Sequence, residues 1–366
     1  MKNGLARPAI DRIAAAMVTV FPEFQRARFV RAAMKEIDSL ELKERVTHII
    51  RALGTELPDH FPDAAKILCR IPPIWNFSDP DDSIADFAAW PIIDYVAIYG
   101  LAHPKISLRA LKNLTVLFSA EFAIRPFLLD HPDRAYGTLE SWCTHRDEHV
   151  RRLVSEGTRP RLPWGIQLKP AVLDPARGLS LLEHLKDDSS LYVRRSVANH
   201  LNDIAKDHPE VCITTCQRWS KSASDDRKWI IRHATRTLVK AGRPEVFPLL
   251  GFTANPLVDI GKLKLDHNSI RMGESIEFIT TLKSTAKKSQ RMVIDYAIHH
   301  QKANGGMIPK VFKLKELTLA PGESITLSKS HRIKPITTRK YYAGAHAVEL
   351  LVNGRPTIKA PFTLRI

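Results

Sequence analysis

The feature that most constrains the fold is a segment that recurs in the middle of the chain. The sequence VRRLVSEG at 150–157 is echoed by VRRSVANHLNDIAKDHPE at 193–210 and, more loosely, by IIRHATRTLVKAG at 230–242. The copies start 43 and 37 residues apart. HEAT and armadillo repeats, whose helix pairs stack into a solenoid, have a similar period of about 40–47 residues. Acidic, serine-rich turns at 187–190 and 222–226 precede the later copies, where helix N-caps are expected.

The chain before the repeats also has the periodicity of helices. Phe29, Ala33 and Ile37 are spaced for one face of an amphipathic helix, and residues 90–101 and 106–129 are predicted helices interrupted at Pro104 and Pro126. Glu121 lies in the later segment among apolar residues (LFSAEFAI), where an unpaired carboxylate would be costly. We expect an all-α, HEAT-like solenoid over residues 1–254.

The pattern changes after Gly251. Asn255-Pro256 is typical of a linker, and short alternating segments separated by turns follow it. The predicted strands are 258–265, 277–282, 292–299, 311–319, 324–332, 345–352 and 357–366. Asn353-Gly354, between the last two, favours a tight hairpin turn. Seven short strands in about 110 residues indicate an immunoglobulin-like β-sandwich at 258–366, without an inter-sheet disulfide.

The net charge of +16 points to an anionic partner such as nucleic acid. From Leu257 onward there are 19 Lys and Arg against 8 Asp and Glu, whereas the first 256 residues have 36 against 31. The sandwich is therefore predicted to be an accessory DNA-binding domain, with a merely solubilising domain as the alternative. No apolar run of about 18 residues or signal peptide is evident, so we expect no membrane partner and a cytoplasmic, nucleoid-associated protein.

The sequence lacks the motifs of several common kinds of catalytic site. The P-loop, the Rossmann glycine fingerprint and the GxSxG elbow are absent, which disfavours nucleotide-driven and acyl-transfer chemistry. His145 and His149, and likewise Cys212 and Cys216, stand four residues apart, but neither pair has further ligands at a suitable spacing. We expect no metal and no cofactor, with the cysteines as small core residues.

Acidic, basic and aromatic side chains are concentrated in residues 139–165. On a helix, Val150, Leu153 and Val154 form an apolar face, while Arg152 and Glu156 lie one turn apart on a polar face. The repeat register extends this polar face across neighbouring repeats. The aligned positions are Arg152 with Arg195 and Arg232, and Glu156 with Asn199 and Arg236. Stacked repeats would place these columns side by side as a basic stripe with a few carboxylates.

Ordinary structural roles remain open for the acids at this stage. Glu156 is a natural salt-bridge partner of Arg152 or Arg159. Glu121 is either an exposed helix residue or the i+4 partner of Arg125.

The segments LESWCTHRDEHVRRLVSEGTRPRLPWG and VRRSVANHLNDIAKDHPE resemble the DNA alkylation repair family of HEAT-like-repeat DNA glycosylases, AlkC type. The resemblance covers roughly residues 1–250 and is strongest over 119–209. Some members of that type carry a C-terminal immunoglobulin-like domain. By this resemblance Glu156 and Trp164 are active-site residues. It also implies that Glu121, from the preceding helix, and Asp203, from the next repeat, lie beside Glu156. Arg152 and Arg159 would then hold the DNA backbone.

The resemblance implies a monofunctional glycosylase that removes 3-methyladenine and 3-methylcytosine from duplex DNA without flipping the base. The chemistry fits the residues, since a cationic base leaves readily and carboxylates stabilise an oxocarbenium-like sugar and orient water. We expect a monomer without cofactors. The competing hypothesis is a non-catalytic HEAT-repeat scaffold that binds nucleic acid.

Overall fold

The structure, a computed structural model, describes residues 2–75, 85–336 and 339–366. The α-helices are α1 Arg7–Val20, α2 Arg26–Met34, α3 Leu42–Gly54, α4 Phe61–Leu68, α5 Trp90–Tyr99, α6 Pro104–Leu114, α7 Arg125–Asp130, α8 Pro132–Trp142, α9 Glu148–Gly157, α10 Lys169–Leu173, α11 Ala176–Leu185, α12 Leu191–Asp207, α13 Pro209–Ser220, α14 Asp225–Ala234, α15 Arg236–Lys240 and α16 Val246–Leu249. None of the described helices has both the length and the apolarity needed to cross a membrane.

The chain divides into two compact units, of which the first comprises Met1–Asp207 and Ser224–Ala234. The three sequence copies fall on α9, α12 and α14, and α12 packs against both of the others. This confirms the predicted HEAT-like repeat. The predicted caps are also present, since Ser190 Oγ accepts from the Tyr192 N–H and Ser224 Oγ from the Arg227 N–H.

A largely buried arginine links successive repeats in the same way twice. Arg151 donates to the carbonyls of His145 and Arg146, just before its own helix, and pairs with Asp188 in the turn before α12. Arg194, at the equivalent position of α12, donates to the carbonyls of Asp188 and Ser189 and pairs with Asp226. These contacts explain why the first arginine of the repeated motif is structural.

The prediction of helix over 106–129, interrupted at Pro126, is wrong for residues 115–124, and Glu121 lies in a turn. Helix α6 ends at Leu114 and α7 begins at Arg125. Pro126 lies in the first turn of α7, where its missing N–H costs no helical hydrogen bond, so it marks a helix start. Side chains satisfy the intervening backbone, because the Ala120 N–H donates to Thr115 Oγ1 and the Glu121 N–H to Ser119 Oγ.

The second unit comprises His208–Ala223 and Thr235–Ile366. Its strands are β1 Val258–Ile260, β2 Lys264–Leu265, β3 Ser269–Arg271, β4 Ser275–Ser284, β5 Gln290–Gln301, β6 Met307–Leu319, β7 Ser324–Arg332, β8 Gly344–Val352 and β9 Arg355–Arg365. In one sheet β4 pairs with β7 and with both β1 and β2; the other has the order β3-β9-β8-β5-β6. The predicted sandwich is confirmed, although the segment 258–265 forms two short strands and β3 was missed.

Alternating residues of the two sheets form the core of the sandwich. Ile276 and Phe278 of β4 pack with Tyr296 and Ile298 of β5 and with Val348 of β8. Such alternation is the reason that the strands could be predicted from the sequence.

The Asn353-Gly354 turn has the predicted hairpin geometry. Both residues have positive φ, +46° and +68°, as a two-residue type I′ turn requires. A Cβ on Gly354 would lie 2.3 Å from Gly242 Cα, so only glycine fits this close backbone approach.

The last helices of the chain are packed into the same unit as the sandwich. Phe247 and Phe252 form an apolar cluster with Val293 of β5. The Asn353 amide also donates to the Thr253 carbonyl at 2.7 Å. Removing residues 258–366 would therefore expose Phe247 and Phe252. Whether 1–254 folds independently of 258–366 stays a prediction.

Candidate active site

Helix α9 positions the central carboxylate of the candidate site. Asp147 caps its first turn, and Val150, Leu153 and Val154 are buried on one face. Glu156 lies on the other face, where α12 covers it and leaves only 5% of the residue exposed. The predicted apolar and polar faces are thus present, but the polar face is enclosed.

Five side chains form a continuous chain of ion pairs. Arg152 pairs with Glu121 through Nη1, and its Nη2 lies 3.6 Å from Glu156 Oε1. Arg159 donates from Nη1 to Glu156 Oε1 at 2.6 Å and from Nε to Asp203 Oδ2 at 2.7 Å. All five side chains are at most 15% exposed. The structure thus brings together the three carboxylates that were predicted as catalytic. We call these residues the carboxylate chain.

The geometry also answers the simpler alternatives for the acids. Glu121 pairs with Arg152 across the tertiary structure and not with Arg125 at i+4. Glu156 contacts both Arg152 and Arg159, as expected of a local salt-bridge partner. The backbone-binding role predicted for the two arginines stays a prediction, since here their guanidinium groups face carboxylates.

Three further polar groups that the sequence did not single out support the carboxylate chain. Ser196 Oγ donates to Glu156 Oε2 at 2.5 Å, Ser119 Oγ donates to Glu121 Oε2 at 2.8 Å, and Lys206 Nζ donates to Asp203 Oδ1 at 2.7 Å. Ser196 directly follows the second arginine of the repeated motif, one residue beyond the predicted basic column. That position is the one signal that could have identified it.

The ion pairs keep Glu156 ionised. Burial opposes ionisation of Glu156, but the guanidinium groups of Arg152 and Arg159 and the Ser196 hydroxyl outweigh it, so the pKa of Glu156 lies below its usual 4.5. Burial likewise opposes the charge on both arginines, but the carboxylates raise the pKa of each. At neutral pH the site therefore holds an ionised, desolvated Glu156.

An aromatic column borders the carboxylate chain. The Arg152 guanidinium lies 5.0 Å from the centroid of the Tyr192 ring, and His149 meets the same ring edge-on at 5.6 Å. The repeat register of 43 and 37 residues aligns His149, Tyr192 and Trp229. Sequence reasoning followed the basic column alone and missed this aromatic one.

Trp164 lies in the loop that follows α9 and is 50% exposed. Its backbone has a φ of +64°, a left-handed conformation that non-glycine residues adopt at a steric cost. An exposed indole held in a strained turn is available to a ligand and is not a packed anchor of the loop.

Comparisons with known proteins match the immunoglobulin-like domain by itself and also the chain over nearly its full length. A family model described as "Uncharacterised protein YhaZ, C-terminal Ig-like domain" matches residues 259–366. The uncharacterized protein YhaZ of Bacillus subtilis (strain 168) is 37% identical over 335 residues, which cover 91% of this chain and 90% of that protein. The structure of Pseudomonas fluorescens alkylpurine DNA glycosylase AlkC bound to DNA containing an abasic site analog is 39% identical and covers 100% of this chain and 99% of that one, with a TM-score of 0.92.

The chain belongs to the AlkC family of DNA glycosylases. The identity extends over both units, so the family includes the immunoglobulin-like domain as well as the helical repeats. This confirms the resemblance that the two repeat segments carry.

The remaining predicted residues of this AlkC-family chain lie on the surface. Arg195 of α12 and Arg232 of α14 are exposed, whereas Arg152, their equivalent in the repeat register, is enclosed in the carboxylate chain. Between them Asn199 Oδ1 contacts His233 Nε2 at 3.2 Å, and His233 stacks on Trp229 at 5.0 Å. The predicted basic stripe is thus exposed at two of its three positions.

The His145–His149 and Cys212–Cys216 pairs were considered as metal ligands from their spacing alone. Within the described segments, no group of three or more His, Cys, Asp or Glu side chains is arranged to hold a metal ion. Cys212 and Cys216 are buried in α13 as free thiols.

Proposed function

We propose that this protein is a monofunctional DNA glycosylase that removes cationic N-alkylated bases, 3-methyladenine and 3-methylcytosine, from duplex DNA. The observation that carries the proposal is the carboxylate chain, in which Glu121, Glu156 and Asp203 converge from a turn and two successive repeats. The similarity to a DNA glycosylase over both chains supports the same activity.

The chemistry requires little beyond these carboxylates. A base alkylated at N3 already carries positive charge and leaves as a neutral molecule when its bond to C1′ breaks. The electron deficit passes to the deoxyribose, which becomes oxocarbenium-like, and water then adds to C1′. An ionised carboxylate stabilises that cation and accepts a proton from the attacking water. Glu156, with its lowered pKa, is charged throughout the neutral range and suits both tasks.

The basic residues would bind the DNA backbone beside the lesion. Arg195 and Arg232 are exposed and suit phosphate contacts that do not read sequence. We propose that Arg152 exchanges its long 3.6 Å contact with Glu156 for a contact with a DNA phosphate. Arg159 would keep its ion pairs with Glu156 and Asp203 while it faces the DNA backbone. The exposed Trp164 indole would contact the cationic base or sugar through cation–π attraction.

We further propose that the lesion stays stacked in the duplex. Many enzymes that act on bases extrude the target into a deep pocket. An enzyme that acts on the sugar while the base stays stacked cannot assist the leaving base by holding its edge in a pocket. It would therefore be restricted to adducts that are already cationic and labile.

The sandwich is proposed to bind DNA through a surface of cations and aromatic rings at one end. Lys310 of β6 lies 5.4 Å from the Phe312 ring, and Lys340 lies 5.6 Å from the Tyr342 ring. The Phe312 ring packs on His331 of β7 with centroids 4.6 Å apart, and Lys329, two residues before His331, lies on the same face of that strand. Mixed cations and aromatic rings are typical of nucleic-acid surfaces.

Reversing two charges of this surface tests the accessory role without removing the domain. We expect Lys310→Glu with Lys329→Glu to weaken DNA binding and to reduce the slope of log affinity against log salt by about 2, since each lost phosphate contact reduces it by about 0.9. The matched control is Lys287→Glu with Lys288→Glu, in an exposed turn of the same unit. Equal salt slopes for the two variants would exclude this surface as the DNA contact.

The activity itself is tested by incubating methylated duplex DNA with the protein and separating the free bases. We expect 3-methyladenine and 3-methylcytosine in solution and a matching number of abasic sites in the DNA. Tight binding to the DNA without release of either base would support the non-catalytic scaffold instead.

A further inference from the structure

The backbone of the Trp164 loop is strained where the indole is presented. Trp164 has φ +64°, and it stands between Pro163 and Gly165. A Cβ at Gly165 would lie 2.9 Å from Leu162 Cδ2 and 3.3 Å from Arg125 Cδ, so the turn is packed tightly on its inner side. A conformation of this cost persists only where surrounding contacts impose it.

Two cations from distant parts of the chain impose the conformation. Arg125 is fully buried and donates from Nε to the Ile166 carbonyl at 2.5 Å and from Nη1 to the Gly157 carbonyl at 2.8 Å. It thereby joins the two ends of the loop. Lys43 of α3 donates to the Trp164 carbonyl itself, across 121 residues of sequence.

Burying the Arg125 guanidinium without a carboxylate partner costs free energy, and its hydrogen bonds to the loop carbonyls offset that cost. A buried guanidinium usually faces a carboxylate, because an unpaired buried charge is strongly disfavoured. Arg125 instead binds main-chain carbonyls, and among the described residues its Nη2 has no hydrogen-bond partner. Burial lowers its pKa to about 10, so the group is still a cation at neutral pH and keeps its hold on the carbonyls.

We propose that Lys43 and Arg125 are positioning residues that fix the Trp164 indole against the damaged nucleotide. This rests on the lesion contact proposed for Trp164. In this role the two residues act through the loop backbone, whose carbonyls they bind. Without them the loop would relax to an unstrained conformation and move the indole away from the position where it stabilises the developing cation.

Lys43 is the better residue for the test, because it is exposed and its replacement does not disturb a core. We expect Lys43→Met to lower the single-turnover rate of excision at saturating protein by about 10- to 100-fold, since a displacement of about 1 Å in an active site can cost up to about 100-fold. Lys43→Arg restores most of the rate, since a cationic donor is kept. Lys66→Met is the matched control: its ammonium is also exposed but binds Asp63, and we expect the wild-type rate.

A double-mutant cycle decides whether Lys43 acts through the indole. In a Trp164→Ala background, Lys43→Met should change the excision rate by less than about twofold, because the group that it positions is gone. The proposal is overturned if Lys43→Met matches Lys66→Met, or if its full effect persists in the Trp164→Ala background. Both readings require an active wild type, so a wild type that releases no base contradicts the proposed function and not the positioning role.

Discussion

Replacing Glu156 by glutamine should reduce the single-turnover rate of base excision by about 10²- to 10³-fold, the usual cost of one electrostatic stabiliser in an active site. Glutamine has the same shape and can still accept from Arg159 and interact with Ser196. What it lacks is the negative charge that the sugar cation requires. DNA affinity should remain within about threefold of wild type, since phosphate contacts dominate binding.

The matched control for this substitution is Glu148→Gln on the same helix. Glu148 is exposed in the first turn of α9 and bonds to Ser190, so its replacement removes one charge from α9 without altering the carboxylate chain. We expect excision at the wild-type rate. An unchanged rate in Glu156→Gln as well would remove Glu156 from the mechanism.

Replacing Arg159 by methionine should have the largest effect on stability. This guanidinium is shared by Glu156 and Asp203, and the side chain is only 9% exposed. Removing one partner of a buried ion pair costs about 3–5 kcal/mol, because the remaining charges stay desolvated. Urea denaturation measures this loss. Arg161→Met is the matched control in the same loop, since Arg161 pairs with Asp207 in a more exposed position, and its loss should be much smaller.

Arg159→Met should also change the pH dependence of folding and excision. In the folded protein the pKa of Glu156 lies below the unfolded value of about 4.5. Its contribution to stability is therefore complete above that pH and is lost as the pH falls through the lower, folded pKa. Without the Arg159 guanidinium, less positive charge offsets the burial of Glu156, so the pKa of Glu156 in the folded protein rises. The pH below which excision is lost therefore moves to a higher value. Coincident acid limits for Arg159→Met and wild type would contradict this electrostatic role.

Local patterns predicted many elements of both units, because helices and strands leave distinct periodicities in the sequence. The apolar face of α9 and the Asn353-Gly354 turn are examples, since each depends on near neighbours. Glu121 shows where such reasoning fails. Its segment is apolar enough for a helix, but the side chains of Thr115 and Ser119 turn the chain instead.

The ion pairs of Glu156 with Arg152 and Arg159 could be predicted from their spacing along the sequence. The contacts between separate elements could not, namely Arg152 with Glu121, Arg159 with Asp203 and Ser196 with Glu156. Spacing within one segment gives no information about residues that meet from distant segments. The support from Ser196 and the hold of Arg125 on the Trp164 loop depend on how repeats stack, which appears only in three dimensions.

The central claim is that the carboxylate chain stabilises a positively charged sugar. The most direct test compares the affinity of the protein for two duplexes that differ in one abasic analogue, a cationic pyrrolidine or a neutral tetrahydrofuran. We predict that wild type binds the pyrrolidine duplex about 10- to 100-fold more tightly, as transition-state mimics generally bind, and that Glu156→Gln loses most of this preference. Equal affinity of the wild-type protein for the two duplexes would contradict the claim.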